Sequence, residues 1–232
     1  PGMTGVDGTL GYGGHAMEIL KRISPGGKLI GLDQDPLELP KTEQRLRGAG
    51  FDENAFEAVR SNYAGIAKVL AARSIDGVDF VFADLGCSSM QFDNPTRGFS
   101  FKHAGPLDMR MNPERGLSAC EWLKRITKEK LEAALVENSD EPRAESLAEA
   151  LAGRSLETTE SLAKAVREAV HGDEELLELT IRRVFQAIRI AVNEEFTALD
   201  AFLRVLPNCL KSGGRVAILT FHSGEDRRVK KA

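Results

Sequence analysis

Gly8-Thr9-Leu10-Gly11-Tyr12-Gly13-Gly14-His15 runs directly into a segment with helical spacing. Glycines at this density let the backbone turn tightly and approach a ligand that side chains would hold off, and the helix start beyond them presents N–H groups. Gly11-x-Gly13-x-x-Ala16 satisfies a relaxed dinucleotide fingerprint, and Asp33, closing the next apolar run, stands where an acidic residue grips ribose hydroxyls. A tight turn without a ligand is the lesser reading of the glycines alone, and Asp33 tips the reading further towards an adenosine-containing ligand. On these residues a nicotinamide dinucleotide competes for the site.

Asp84 ends another apolar run and leads into Leu85-Gly86-Cys87-Ser88-Ser89, which puts its carboxylate at the edge where open α/β sheets bind ligands. The same residues also suit a plain turn in which Asp84, Ser88 and Ser89 satisfy backbone groups. Cys87 has no base partner by position and reads as a small buried thiol. Residues 91–111 are polar and rich in Gly and Pro, with Phe92, Phe99 and Phe101 beside Arg97, Lys102 and Arg110. Aromatic faces next to cations suit base stacking and phosphate contact, while a lid packing its own aromatics is the competing reading.

The elements that must position these residues are short apolar runs at 28–33, 55–59, 78–84 and 215–221, bounded by Gly or polar turns and read as buried strands. Helix-compatible stretches at 16–23 and 65–72 alternate with the first of them, the pattern of a parallel sheet covered on both faces. From 118 to 171 strand signals vanish and Leu, Ala, Glu, Lys and Arg dominate, which predicts a helical insertion. Over 183–210, Phe185, Ile188, Val192, Phe196, Leu199, Leu203, Leu206 and Leu210 recur at intervals of three and four, predicting one long amphipathic helix. Lys211-Ser212-Gly213-Gly214 would end it and turn into the last strand.

Composition narrows the class. Lys and Arg number 31 against 35 Asp and Glu, a net charge of −4, so bulk attraction to nucleic acid is excluded and any such surface must be a local patch. Cys87, Cys120 and Cys209 are far apart and show no C-x-x-C spacing; neither a disulfide framework nor a metal site is indicated, and a reducing compartment follows. No run approaches the roughly 18 apolar residues of a membrane-spanning helix. No secretory leader is visible, and both ends read as trimmed, which would hide any transit peptide.

Taken in order, several blocks resemble one family. Asp7-Gly8-Thr9-Leu10-Gly11-x-Gly13-Gly14-His15, Asp84-Leu85-Gly86-x-Ser88-Ser89-x-Gln91, Arg97-Gly98-Phe99-Ser100-Phe101 and Gly105-Pro106-Leu107-Asp108-Met109-Arg110-Met111 are similar to the ribosomal RNA small subunit methyltransferase H family. Two later blocks agree: Phe185-Gln186-Ala187-x-Arg189-Ile190-x-Val192-Asn193-x-Glu195, and Gly213-Gly214-Arg215 followed by Phe221-His222-Ser223-x-Glu225-Asp226-Arg227. The similarity covers nearly the whole chain, from Asp7 to Lys230.

The resemblance implies a Rossmann-like class I methyltransferase sheet, residues 1–110 and 181–232, with a helical insertion at 111–180 that recognises substrate. It implies S-adenosylmethionine as cofactor and methylation of the exocyclic N4 of a cytidine in the decoding region of small-subunit ribosomal RNA, in the bacterial cytoplasm or an organelle of bacterial descent. Carried over by motif, Gly13, Gly14 and His15 would meet the methionine end of the cofactor, Asp33 the ribose and Tyr63, where the family usually has Phe, the adenine neighbourhood, with Asp84 and Gln91 completing the contacts. Catalytic candidates are Asp84, Asp108 and His222, the last equally suited to a structural bond at a strand end. Substrate-binding candidates are Ser88, Ser89, Phe99, Phe101 and Arg110. A cofactor-binding ribosome-assembly factor without transfer activity is the alternative in the binding class, and a nicotinamide-dependent oxidoreductase the weaker enzymatic one.

Two departures from the family bear on substrate recognition. Asn138-Ser139-Asp140-Glu141-Pro142-Arg143-Ala144-Glu145-Ser146 and Glu149 stand where a Tyr-Gly-Glu-Glu-like stretch and several basic residues are usual, so the insertion face reads as acidic. RNA contact on that face would then be weaker, shifted, or made through Arg182, Arg183 and Arg189 and the basic end at 227–231. Gly224 replaces a usual Leu and removes an apolar anchor.

Overall fold

In the computed structural model, which describes residues 1–232, the chain opens with β1 (Thr4–Asp7), α1 (Gly14–Ile23), β2 (Lys28–Asp33), α2 (Leu39–Gly48) and β3 (Phe56–Arg60). A 3₁₀ turn at Tyr63–Gly65 leads into α3 (Ile66–Ala71) and then β4 (Val78–Asp84). The alternation dictates parallel pairing: β1 lies between β2 and β4, with Val6 opposite Ile30 and Val81. Side chains alternate across this sheet. Val6, Ile30, Leu32, Val81 and Ala83 pack in one apolar layer, while Leu29 joins Leu10, Ala16, Leu20, Leu46 and Phe56 in the layer on the other face. Each fully buried Leu or Ile contributes roughly 1.5–3 kcal/mol, so these layers set the sheet's register.

After the short α4 (Ser89–Asp93) the chain becomes helical: α5 (Ala119–Arg125), α6 (Lys128–Ser139), α7 (Ala144–Leu151), α8 (Thr159–Ala169) and α9 (Glu174–Val192). Their starts are written in the sequence. Ser118 and Glu121 form a reciprocal capping box at α5, Thr158 and Ser161 another at α8, and the Asp173 carboxylate accepts from the Leu176 N–H at the start of α9. Leu131, Leu135, Leu147, Leu151, Leu162, Val166, Val184 and Ile188 form their shared core.

The chain returns through α10 (Glu195–Val205), β5 (Leu210–Leu219) and α11 (Ser223–Lys231). The sheet order is β3-β2-β1-β4-β5, all pairs parallel, and Leu199, Phe202 and Leu206 join the layer that holds Val6 and Ile30. Two compact units result, Pro1–Met90 with Phe196–Ala232, and Gln91–Glu195. Residues 91–110 and 181–195, placed with the sheet by sequence, belong to the helical unit. The fold is the expected α/β sheet with a helical insertion. No helix is long and apolar enough to cross a membrane.

Four differences from the sequence reading have local causes. β1 and α2 lacked a signal, since Thr4-Gly5-Val6-Asp7 has one strongly apolar residue and α2 only Leu39 and Leu46. The single helix expected over 183–210 is two, because Glu194 takes a left-handed φ of 51° and the Asn193 amide bonds the Arg189 carbonyl. Residues 211–214, read as a turn, bulge within β5, between the pairs Val78–Leu210 and Phe80–Arg215. The stretch 138–146 is not simply an acidic face: Asn138, Ser139 and Glu141 are buried, Asn138 donates to the Ala187 carbonyl and Glu141 faces Arg183, leaving Asp140 and Glu145 outside.

Candidate active site

The ends of β1, β2 and β4 carry Asp7, Asp33 and Asp84. Asp7 lies opposite Gly31 and Phe82, so Asp33 and Asp84 stand two residues further along the flanking strands and share its face. Strand spacing and rise put each about 8 Å from Asp7 between Cα atoms. Three carboxylates thus converge at the carboxyl edge of neighbouring strands, the ligand edge of an open α/β sheet.

The glycine segment wraps over this edge. Gly8 N–H donates to the Phe82 carbonyl (2.8 Å) and Leu10 N–H to the Leu32 carbonyl (2.8 Å), stitching the loop to the strands on either side of β1. Thr9 links the Asp7 carboxylate to the Asp84 backbone: its N–H donates to Asp7 Oδ1 (3.1 Å) and its Oγ1 accepts from the Asp84 N–H (2.6 Å). Gly11 N–H donates to Asp33 Oδ2 (2.8 Å), and the Asp35 N–H to Asp33 Oδ1 (2.8 Å). Gly13 precedes α1 with φ 85°, and a Cβ there would lie 2.7 Å from Thr42 Cγ2, so only glycine fits. Arg45 stacks over the Tyr12 ring at 3.5 Å and donates to the Tyr12 carbonyl, bracing the loop from α2.

Gly14 and His15 begin α1, and the exposed His15 ring stands with Nδ1 3.5 Å from Asp84 Oδ2 and its centroid 4.8 Å from that of Phe82. Tyr63 follows β3, next to the Asn62–Gln34 amide pair, with its ring edge-on to Phe202. Ser88 is half-buried against the glycine loop, where a Cβ on Gly11 would meet its Cβ at 3.5 Å, and Ser89 is exposed at the start of α4. Gln91, on the same helix, is buried in the other compact unit.

The electrostatics follow from this crowding. Burial pushes Asp7 up to about 7; the Thr9 N–H opposes the rise, and the Asp33 and Asp84 charges add to it. Burial also raises Asp33 against the N–H bonds of Asp35 and Gly11, and raises Asp84, where His15 opposes and Glu225 reinforces the shift. Asp7 Oδ2 and Asp84 Oδ1 are buried with no hydrogen-bond partner. An arrangement with this much unneutralised acceptor capacity suits a ligand that brings a positive charge. The sequence reading passed over Asp7; its signal was the acidic residue opening the glycine motif.

His222 is nearly buried, with Nε2 3.2 Å from Glu225 Oε1 in poor hydrogen-bond geometry and its ring 5.7 Å from that of Phe196. Glu225 Oε2 accepts from the Phe221 N–H (2.8 Å). Phe196 fills the space beside Gly224, where a Cβ would fall 2.5 Å from its Cζ, and Arg228 covers the ring at 3.7 Å. The apolar anchor missing at 224 is thus supplied from α10.

Within the helical unit, Asp108 and Arg110 form a two-pronged ion pair, Nε to Oδ1 at 2.9 Å and Nη2 to Oδ2 at 2.6 Å. Phe99, Phe101 and Arg97 are placed differently from the stacking expectation, while Phe92 and Lys102 are exposed. Phe99 is only 5% exposed, Phe101 packs edge-on to Phe185, and Arg97 is buried with Nη2 on the Arg110 and Met111 carbonyls. These groups hold the loop together, as obligatory pairing of buried carbonyls requires. The arginines to which RNA contact was assigned are likewise engaged: Arg182 with Glu178, Arg183 with Glu141, and Arg189 with Glu195 through two bonds.

Comparison with known proteins adds a family. A model of the MraW methylase family matches residues 1–232. The chain is 47% identical over 242 residues to "Ribosomal RNA small subunit methyltransferase H 1" of Lachnoclostridium phytofermentans, covering 100% of this chain and 66% of that protein. A protein of the same name from Agathobacter rectalis is 47% identical over 242 residues, with 100% and 69% covered. "Ribosomal RNA small subunit methyltransferase H" of Burkholderia vietnamiensis is 42% identical over 234 residues, with 97% and 72% covered. The chain spans about two thirds of the length of the first of these relatives.

Proposed function

This chain belongs to the MraW methylase family, so its chemistry is methyl transfer, and we propose that it moves a methyl group from S-adenosylmethionine to the exocyclic N4 of a cytidine in the decoding region of small-subunit ribosomal RNA. Relatives at 42–47% identity bear the name of a ribosomal RNA small subunit methyltransferase, which supports the substrate class. Family membership sets aside the nicotinamide reading of Gly11, Gly13 and Ala16. The single observation that carries the cofactor assignment is the set of Asp7, Asp33 and Asp84 at one sheet edge, two of them with a buried oxygen lacking a partner. A ligand bearing a sulfonium, an ammonium and a ribose diol fits that set, with Asp33 and Asp84 as the contacts and Asp7 acting through its charge.

When bound, the cofactor supplies a methyl group already activated by its sulfonium, so the residues have mainly to position and desolvate. Gly13, Gly14 and His15 would hold the methionine end, Asp33 the ribose hydroxyls, Tyr63 the adenine side, and Asp84 and Gln91 the remainder. Asp33 keeps acceptor capacity for the diol, since two carboxylate oxygens offer about four lone-pair sites and the N–H groups of Gly11, Gln34 and Asp35 do not fill them. The acceptor amine has its lone pair delocalised into the cytosine ring. A carboxylate that takes its N–H groups re-aims that pair; Asp84 is placed for this at the strand end, with Asp108 the second candidate and His222 a proton acceptor.

A base in structured RNA must be exposed or flipped to reach such an edge. Ser88, Ser89 and Arg110 are its contacts in this reading; Phe99 and Phe101, packed inside, shape the loop that carries Asp108 and Arg110. We assign substrate recognition to the helical unit, on small subunits assembled or nearly so, in the cytoplasm or an organelle of bacterial descent. Presentation by the particle accounts for a net acidic enzyme, because local shape and a few cations suffice where bulk attraction is absent.

The test is transfer of labelled methyl from S-adenosylmethionine to small subunits from cells lacking this protein, followed by nucleoside analysis. N4-methylated cytidine is the expected product. Cofactor binding without transfer to subunits or naked RNA would favour the assembly-factor reading instead.

A further inference from the structure

Asp7 is a fully buried acid at the carboxyl end of β1. It has no exposed surface, one of its oxygens takes a single N–H from Thr9, and the other has no partner. The titratable groups that bear on it are Asp33 of β2 and Asp84 of β4, both acidic, and those that bear on Asp84 are His15 of α1 and Glu225 of α11. Three carboxylates on one face of three adjacent strands cannot all ionise cheaply out of water. Because Asp7 has no accessible atom, it acts on a ligand through charge rather than contact.

We propose that Asp7 makes cofactor binding proton-linked: held partly protonated before the ligand arrives, it ionises fully when a cationic sulfonium is held near Asp84, so the site favours the charged donor over the neutral thioether product. The inference rests on the S-adenosylmethionine reading of this edge. Well below pH 7 a full proton leaves Asp7 for solvent as one positive charge enters; near pH 7, where the acid is about half protonated, about half a proton leaves. The thioether brings no charge at sulfur and draws no equivalent proton release, which helps product leave after transfer. Burial, reinforced by the two neighbouring carboxylates, holds Asp7 at about 7, where a modest incoming field suffices to ionise it.

The experiment is calorimetric titration of the whole chain near pH 7 with S-adenosylmethionine and separately with S-adenosylhomocysteine, each in phosphate and in Tris, whose ionisation heats differ. Expected is release of about half a proton with the sulfonium ligand and clearly less with the thioether. Preference for the sulfonium ligand should then rise by up to about tenfold between pH 6 and pH 8. Asp7→Asn should abolish both effects. Equal binding heats in the two buffers would overturn the inference, as would proton release that survives Asp7→Asn. If that variant does not fold, the wild-type heats together with a carbon-13 carboxyl titration of Asp7 decide the matter. Binding of neither ligand in either buffer would instead overturn the cofactor reading, and this inference with it.

Discussion

Thr9 and Asp84 are joined across two neighbouring strands: the Asp84 backbone N–H donates to Thr9 Oγ1 at 2.6 Å, while the Thr9 N–H goes to Asp7 Oδ1 at 3.1 Å. One side chain therefore fixes the end of β4 and the glycine loop together, with the Asp7 carboxylate beneath. Thr9→Val keeps the shape and removes the acceptor, leaving the Asp84 N–H unpaired. A loss of about 1–3 kcal/mol is expected, read as a lower denaturation midpoint with weaker cofactor binding; Thr9→Ser should restore most of both.

Asp7 also makes a pH signature in stability. Its folded value, raised from 3.8 to about 7, means that the native state holds a proton the unfolded chain gives up above about pH 4. Between about pH 4 and pH 7 the unfolded state binds fewer protons, so this group lowers stability as pH rises, by on the order of 4 kcal/mol in total. Asp7→Asn should raise stability modestly near pH 5, by on the order of 1–2 kcal/mol, and by on the order of 4 kcal/mol near pH 8, measured by urea unfolding at both values. A variant less stable than wild type at pH 8 would refute the assignment.

Gly13 turns into α1 with φ 85°, and Thr42 leaves no room for a Cβ. Gly13→Ala should shift the loop and reduce affinity for S-adenosylmethionine by at least about tenfold, equivalent to about 1.4 kcal/mol, in equilibrium binding. Gly14→Ala meets no protein atom within 4 Å, so a loss of affinity there would report contact with the bound methionine end rather than a distorted loop.

Asp108 is held by Arg110 through two bonds. Asp108→Asn weakens that pair and should lower methyl transfer while leaving the cofactor dissociation constant within about twofold, because the change affects an orientation made at the reacting amine. Unchanged transfer would remove Asp108 from the reaction.

Asn193 donates to the Met109 and Arg189 carbonyls and accepts from the Met111 N–H. It anchors the loop carrying Asp108 and Arg110 to the end of α9. Asn193→Ala strands these groups and should cost about 1–3 kcal/mol, with transfer falling more than cofactor affinity.

What the amino-acid order determined by itself was local. The runs at 28–33 and 78–84, the helix-compatible stretches between them and the glycine turn before α1 are legible, because strand and helix periods and turn geometry act over a few residues. The place of Asp33 and Asp84 at the carboxyl ends of strands follows from the same patterns. β1 was hidden because a central strand four residues long with one strongly apolar member is made by its neighbours: β2 and β4 supply the hydrogen bonds on both sides. The break at Asn193 was hidden because Val192 and Phe196 keep the four-residue interval across it, while the left-handed Glu194 leaves no mark on the period. Tertiary structure alone decided that Arg97 turns inward to carbonyls and that Phe99 is covered. It also decided that Asp7 is a buried acid facing two others. Charge state and burial depend on what distant segments bring within a few ångströms, and no local pattern carries that distance.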